Sequence, residues 1–152
     1  MRILYACAFI PLLAIADDSA IRKEIQAIYD RALQLQLTAK TPSDLDANEK
    51  LIDTPDWTSI VNDGAPQRWA DVRGFAIQTL GHPDDIAIKI VKFTVSGDRA
   101  IVIARVGPSA TINGNDSSLY RLVRDTWIKT SAGWRRKIHE KPAVGKLDAE
   151  LK

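Results

Sequence analysis

The chain has 152 residues, 45% of them apolar and 26% charged. That balance suits one soluble domain with a real core and excludes disorder, collagen-like repeats and a multidomain machine. Net charge is +2, and 20 Lys and Arg against 19 Asp and Glu remain once a leader containing Arg2 is set aside, so no strong field selects nucleic acid or anionic lipid.

Residues 1–16, MRILYACAFIPLLAIA, combine a basic start, an apolar run from Ile3 to Leu13 and the small-x-small site Ala14-Ile15-Ala16 before Asp17-Asp18. This is the pattern of a secretory signal peptide. It falls short of the roughly 20 apolar residues of a membrane anchor, so the mature protein is expected to be secreted or periplasmic and free of the membrane. The only cysteine, Cys7, lies in the leader, which leaves a domain over residues 17–141 without disulfide or thiol chemistry.

From Asp17-Asp18-Ser19, apolar residues recur at Ile21, Ile25, Ile28, Tyr29, Ala32, Leu35 and Ala39, which predicts a long amphipathic helix. Thr41 as N-cap and Pro42 at the first helical position begin a second, shorter helix reaching about Leu51. Trp57–Val61 has strand character and stops at Asn62-Asp63-Gly64, a strong turn signal. Trp69, Val72, Phe75, Ala76 and Leu80 fall at helical spacing, ahead of Gly81-His82-Pro83.

The remainder is strand-like. Runs over 86–95, 100–106, 119–129 and 134–140 are separated by Gly97-Asp98, a polar loop over 107–115 and Ser131-Ala132-Gly133. Tight turns between consecutive strands imply an antiparallel meander. Helices first and sheet second make an α+β domain, with a curved sheet around the first helix and a loose polar tail over 142–152.

This order, together with Arg124-Asp125-Thr126-Trp127-Ile128-Lys129-Thr130-Ser131-Ala132-Gly133-Trp134-Arg135, resembles the nuclear-transport-factor-2-like superfamily, which includes ketosteroid isomerase and the SnoaL-like cyclases. The resemblance spans about Ile21 to Glu140. It implies a cone-shaped fold, with the N-terminal helices packed in the concave face of a mainly antiparallel sheet. It also implies a cavity between sheet and helices and, commonly, a homodimer through the sheet's outer face. Function does not follow from such a fold, because it hosts isomerases, cyclases, binding modules and assembly domains alike.

Matched by position to ketosteroid isomerase, Tyr29 and Asp125 stand where oxyanion donors would be, and Asp63 where the base would be. A proton-transfer site needs those types, since a base removes a weakly acidic proton while fixed donors hold the oxyanion. Each residue also has an ordinary reading: Tyr29 as a core tyrosine, Asp63 as a turn residue before Gly64, and Asp125 as the partner of Arg121. Trp127, on the face of Val123 and Asp125, is expected to wall an apolar pocket.

On β alternation His139 shares a side with Arg135 and Lys137, away from Trp134 and Ile138, and is expected to face outward. Arg121, Arg124, Arg135, Arg136 and Lys137 read as a basic, solvated band. His82 reads as a turn residue, and two distant histidines without a carboxylate cluster imply no metal and no other cofactor. Asn115-Asp116-Ser117 matches a glycosylation acceptor.

The reading favoured is a secreted domain that binds a small apolar or amphipathic molecule among Tyr29, Val123, Asp125 and Trp127, with no nucleic-acid partner. The alternatives are a cofactor-independent isomerase, dehydratase or cyclase, and a protein-interaction or structural dimer module.

Overall fold

The computed structural model describes residues 18–80, 85–114 and 119–152. The readings made for the leader with Cys7, for His82 and for the Asn115 acceptor lie outside them. Three helices, α1 (Asp18–Thr38), α2 (Pro42–Ile52) and α3 (Trp69–Gln78), accompany five strands. These are β1 (Asp53–Val61), β2 (Ile86–Ser96), β3 (Arg99–Pro108), β4 (Arg121–Thr130) and β5 (Gly133–Lys141). The sheet order is β1-β5-β4-β3-β2. The four later strands form the expected antiparallel meander, and β1 joins its end parallel to β5. The α+β expectation holds.

Ile21, Ile25 and Tyr29 recur every fourth residue, so α1 presents one buried stripe to the sheet. That stripe meets Ile90, Ala100, Val102, Ala104, Val123, Trp127 and Trp134 from the sheet's inner side. A bulge between Ile90 and Lys92 interrupts the β2–β3 ladder, and α1 answers its backbone groups. Arg22 donates to the Ile90 carbonyl at 2.8 Å, while Gln26 donates to Ile88 O at 2.8 Å and accepts from Ile90 N at 3.1 Å. The bulge thereby fixes where the helix crosses the sheet.

Thr41 and Asp44 close a reciprocal capping box at the start of α2, as the sequence implies. The first strand begins earlier than its apolar run suggests, because Arg136 on β5 grips Asp53 with two hydrogen bonds of 2.7 and 3.1 Å. A bidentate guanidinium–carboxylate pair holds an extended start that propensity alone does not encode.

The segment after Lys141 is not loose. Pro142 is buried, Leu147 is 2% exposed, and a single 3-10 turn runs over Asp148–Leu151. Its polar composition hid one leucine that packs and two charges that pair, Lys146 with Asp63 at 2.6 Å and Glu150 with Arg124.

Helix α3 has no buried residue. It is tethered to α2 through Asp46, which accepts 2.7 and 2.9 Å bonds from Arg73 and a 2.8 Å bond from Trp69 Nε1. The Arg73 hydrogen bonds, then that of Trp69, hold the Asp46 carboxyl down at about 2. A carboxyl depressed below its unfolded value contributes above that value, about 3.9, and loses its contribution as pH falls through the folded one. Protection of the α3 amides, taken relative to the intrinsic exchange rate at each pH, is therefore expected to be full above pH about 4 and to give way to relatively fast exchange as pH falls toward 2. Asp46→Asn is expected to show the fast exchange at neutral pH; unchanged exchange in that variant would show that α3 is held by other contacts.

Candidate functional site

Tyr29, Val123, Asp125 and Trp127 come together, as the sequence reading requires, on the sheet's inner side beneath α1. Register explains it: Ala104, Val102 and Ala100 on β3 pair with Val123, Asp125 and Trp127, and these small neighbours leave room for the tyrosine and tryptophan rings. The Tyr29 ring meets that of Trp127 edge-on, with centroids 5.2 Å apart. The Tyr29 hydroxyl donates to Asp125 Oδ2 and accepts from Trp127 Nε1 at 3.2 Å. Exposures of 1% for Tyr29, 2% for Val123 and 0% for Asp125 and Trp127 leave no water-sized space against them.

The remaining partners of Asp125 differ from those expected. Its Oδ1 lies 2.6 Å from His139 Nδ1, and its Oδ2 lies 3.9 Å from Arg136 Nη1. Arg121 is not among them; it is exposed. His139 faces inward because the β4–β5 pairing slips between Thr126 and Trp127, which face Ile138 and Arg136. Lys137 is the extra residue. Alternation counted from Trp134 is correct for Arg136 and inverted after the bulge, so His139 turns inward and Ile138 outward.

The basic band is likewise divided. Arg136 is half-buried between Asp53 and Asp125, Lys137 pairs with Asp56, and Arg124 lies on the outer side with Glu140 and Glu150.

Burial alone would raise the Asp125 carboxyl. The charge and hydrogen bond of His139, the Arg136 guanidinium and the Tyr29 hydroxyl outweigh it, so Asp125 stays below the usual carboxylate range. Burial, then the Asp125 charge, pushes the Tyr29 hydroxyl well above its ordinary value, and it remains a donor. The raised Asp125 that a ketosteroid-isomerase-like oxyanion hole needs is therefore not what these partners produce.

Asp63 does not join the cluster. It is the second central residue of a type I′ turn, with φ of 50° at Asn62 and 57° at Asp63 and a 2.9 Å bond from Gly64 N to Val61 O. Its side chain is 62% exposed and accepts from Lys146 at 2.6 Å. The turn reading of Asp63 accounts for it, and the base position near Tyr29 is empty of it. Among the described residues no group of three or more His, Cys, Asp or Glu is placed to hold a metal ion, and no helix is long and apolar enough to cross a membrane.

Open space lies beside the cluster instead. A cleft of about 240 Å³ runs between α1, the end of α2 and the β4–β5 hairpin, with Ile28, Leu35, Leu51, Ile52 and Trp134 as its apolar lining and Glu24, Arg31 and Arg135 as its charged lining. At Leu35 and Leu51 it meets a second cleft of about 380 Å³ between α1 and α2. One lining residue of each carries a polar atom that is buried without a partner, Trp134 Nε1 and Asn48 Oδ1. The tryptophans were legible as core, but nothing in the sequence distinguishes Trp134 as the one beneath a cleft.

Removing the Asp125 carboxylate leaves the buried Tyr29 hydroxyl without its acceptor and the His139 ring without its partner, with Arg136 held by Asp53 alone, so Asp125→Ala is expected to lower stability by about 3–5 kcal/mol. Tyr29→Phe, which removes one hydrogen bond to a charged group, is expected to cost about 1.5–3 kcal/mol. Because the folded carboxyl lies below its ordinary value, this contribution is complete above the carboxylate range and lost as pH falls beneath it. Urea unfolding of both variants at neutral and acid pH measures these terms, and an Asp125→Ala protein as stable as the parent would remove the carboxylate from its central place.

No protein-family model matches the chain, and no curated protein matches it. Solved structures do. The Kfla4162 protein from Kribbella flavida is similar over 89% of this chain and 98% of its own, with a TM-score of 0.61 at 20% identity. A nuclear-transport-factor-2-like protein of unknown function from Silicibacter pomeroyi aligns over 82% of this chain and 97% of its own, with a TM-score of 0.59 at 10% identity. One with a cystatin-like fold from Novosphingobium aromaticivorans aligns over 86% of both chains, with a TM-score of 0.52 at 24% identity. The helices packed in a curved five-stranded sheet are thus the nuclear-transport-factor-2-like fold, in a chain whose function that fold does not specify.

Proposed function

We propose that this protein is an exported binding domain for a small amphipathic molecule with an anionic head. The observation that carries the reading is the pair of clefts meeting at Leu35 and Leu51. The larger is within the usual range of small-molecule sites, about 300–1,000 Å³. The export part rests on the leader at residues 1–16.

The lining supplies the chemistry. Ile28, Leu35, Leu51 and Ile52 suit an apolar body, and Leu51 is 44% exposed, an apolar cost that a ligand would relieve. Arg31 and Arg135 make no ion pair among the described residues, while Glu24 is matched by Lys129. The rim is thus cationic. In this reading Tyr29, Val123, Asp125 and Trp127 act as the rigid floor under the cleft and do not touch the ligand.

Dodecanoate, an anion with an apolar chain, is a suitable first probe for titration followed by tryptophan fluorescence. Binding is expected in the micromolar range and to weaken at least tenfold in Leu51→Glu and in Arg31→Ala. Failure of dodecanoate to bind, or equal binding by both variants, would remove the reading.

Proton-transfer catalysis is favoured by one separate observation, the 2.6 Å contact of His139 with Asp125, in which His139 is 13% exposed and its partner 1%. An inward histidine oriented by a buried carboxylate is a general-base arrangement. Under this reading His139 takes the role first assigned to Asp63. Exchange of the α-proton of a cyclic enone into deuterated solvent is expected to be accelerated by the parent and reduced at least a hundredfold in His139→Ala; equal rates would exclude it.

A further inference from the structure

The outer side of β2–β4 carries an excess of cations that the inner side does not. Alternation from the buried residues places Lys89, Lys92, Arg99, Arg105 and Arg124 outward on β2, β3 and β4, and no carboxylate joins them on those strands. One transverse row is built as cation, isoleucine, cation: Lys92 pairs with Ile103, and Ile103 with Arg124.

The chain's own last segment lies across that row. Arg124 Nη2 donates to the Glu150 carboxylate, and Lys92 Nζ donates to the Glu150 carbonyl. Ile103, between them, is 2% exposed, whereas Ile101 on the same side is 39% exposed. The 3-10 turn therefore covers one isoleucine and not the other. Three residues before Glu150, Leu147 lies between Leu122 on one side and Ile60, Arg124 and Glu140 on the other.

We propose that the outer face of β2–β4 is a docking surface for an acidic, leucine-bearing segment of another protein. Residues 146–151, Lys-Leu-Asp-Ala-Glu-Leu, occupy it as an intramolecular stand-in. The face presents two cations spaced to hold one carboxylate and one backbone carbonyl, with an apolar seat beside them for leucine. Charge complementarity identifies the occupant: the outward cations of β2–β4 favour an acidic partner.

The stand-in is poised for exchange. Its anchoring pairs are exposed, with side-chain exposures of 29% and 43% for Arg124 and Glu150 and of 55% and 62% for Lys146 and Asp63. Such pairs contribute about 0–1 kcal/mol each and weaken with salt. Tethering gives the segment an effective concentration of about millimolar, so an external peptide competes only when the tail is weakened or removed.

A fluorescent peptide of residues 147–151, Leu-Asp-Ala-Glu-Leu, tests this against two proteins: the chain ending at Lys141, checked for folding by circular dichroism, and the full-length Glu150→Lys variant, which retains Leu147. The expected result is binding to both at least tenfold tighter than to the full-length parent, weakened again by Arg124→Glu and by added salt. Failure of the peptide to bind either protein more tightly than the parent overturns the proposal. So does an undiminished affinity in Arg124→Glu, or a preference of the truncated chain for duplex DNA or anionic vesicles over the peptide. This face is opposite the α1–α2 clefts, so dodecanoate binding and peptide binding succeed or fail independently.

Discussion

A carboxylate with no exposed surface must be answered on every side, and Asp125 is. Taking such a group out of water costs several kcal/mol even after relaxation, and only good geometry with further hydrogen bonds offsets it. Here a hydroxyl from α1, an imidazole from β5 and a guanidinium shared with β1 converge on it. The architecture around the centre follows. Tyr29 sets the rotation of α1 over the sheet, His139 and Arg136 set the phase of β5, and the second grip of Arg136 on Asp53 docks β1 in parallel.

The same group makes the sheet intolerant of slippage. Side chains alternate with a period of two, so a one-residue shift of β5 against β4 would carry His139 and Arg136 to the outer side. Asp125 would then be buried and unpaired, which hydrophobic packing does not recover. An apolar core of the same volume would lack that penalty for the wrong register, so the polar centre contributes specificity where Val123, Trp127 and Ile25 contribute bulk burial.

Helix periodicity, the Thr41-Pro42 start and the hairpin turns made the element order legible because each depends on residues within one turn of one another. Tyr29, Asp125, Trp127 and Val123 were legible as one group because an uninterrupted alternation holds from Val123 to Trp127. His139 was not, since the bulge at Lys137 inverts the pattern and no local residue type announces it. The partner of Asp125 was misread for the same reason. Asp63 looked like a base only by position in a resemblance; its own neighbours, Asn62 and Gly64, already encoded the turn that the backbone adopts. The tail was the hardest case, because its four charged positions obscure Leu147, whose seat is assembled from strands far away in sequence.

The two sides of the sheet therefore solve the charge problem differently. On the inner side each buried ion is matched at close range: Asp53 and Asp125 share Arg136, and His139 completes the set, which leaves little residual field to attract a ligand. On the outer side the strands of β2–β4 leave an excess of cations, and a matching carboxylate, Glu150, arrives on a segment that water can reach. A matched interior stabilises one structure, whereas an unmatched, solvent-accessible surface retains the capacity to choose a partner. For this chain the residues that look most like chemistry, Tyr29 and Asp125, belong to the first kind. In the readings proposed above, recognition falls to the surfaces around them, the α1–α2 clefts and the outer face of β2–β4.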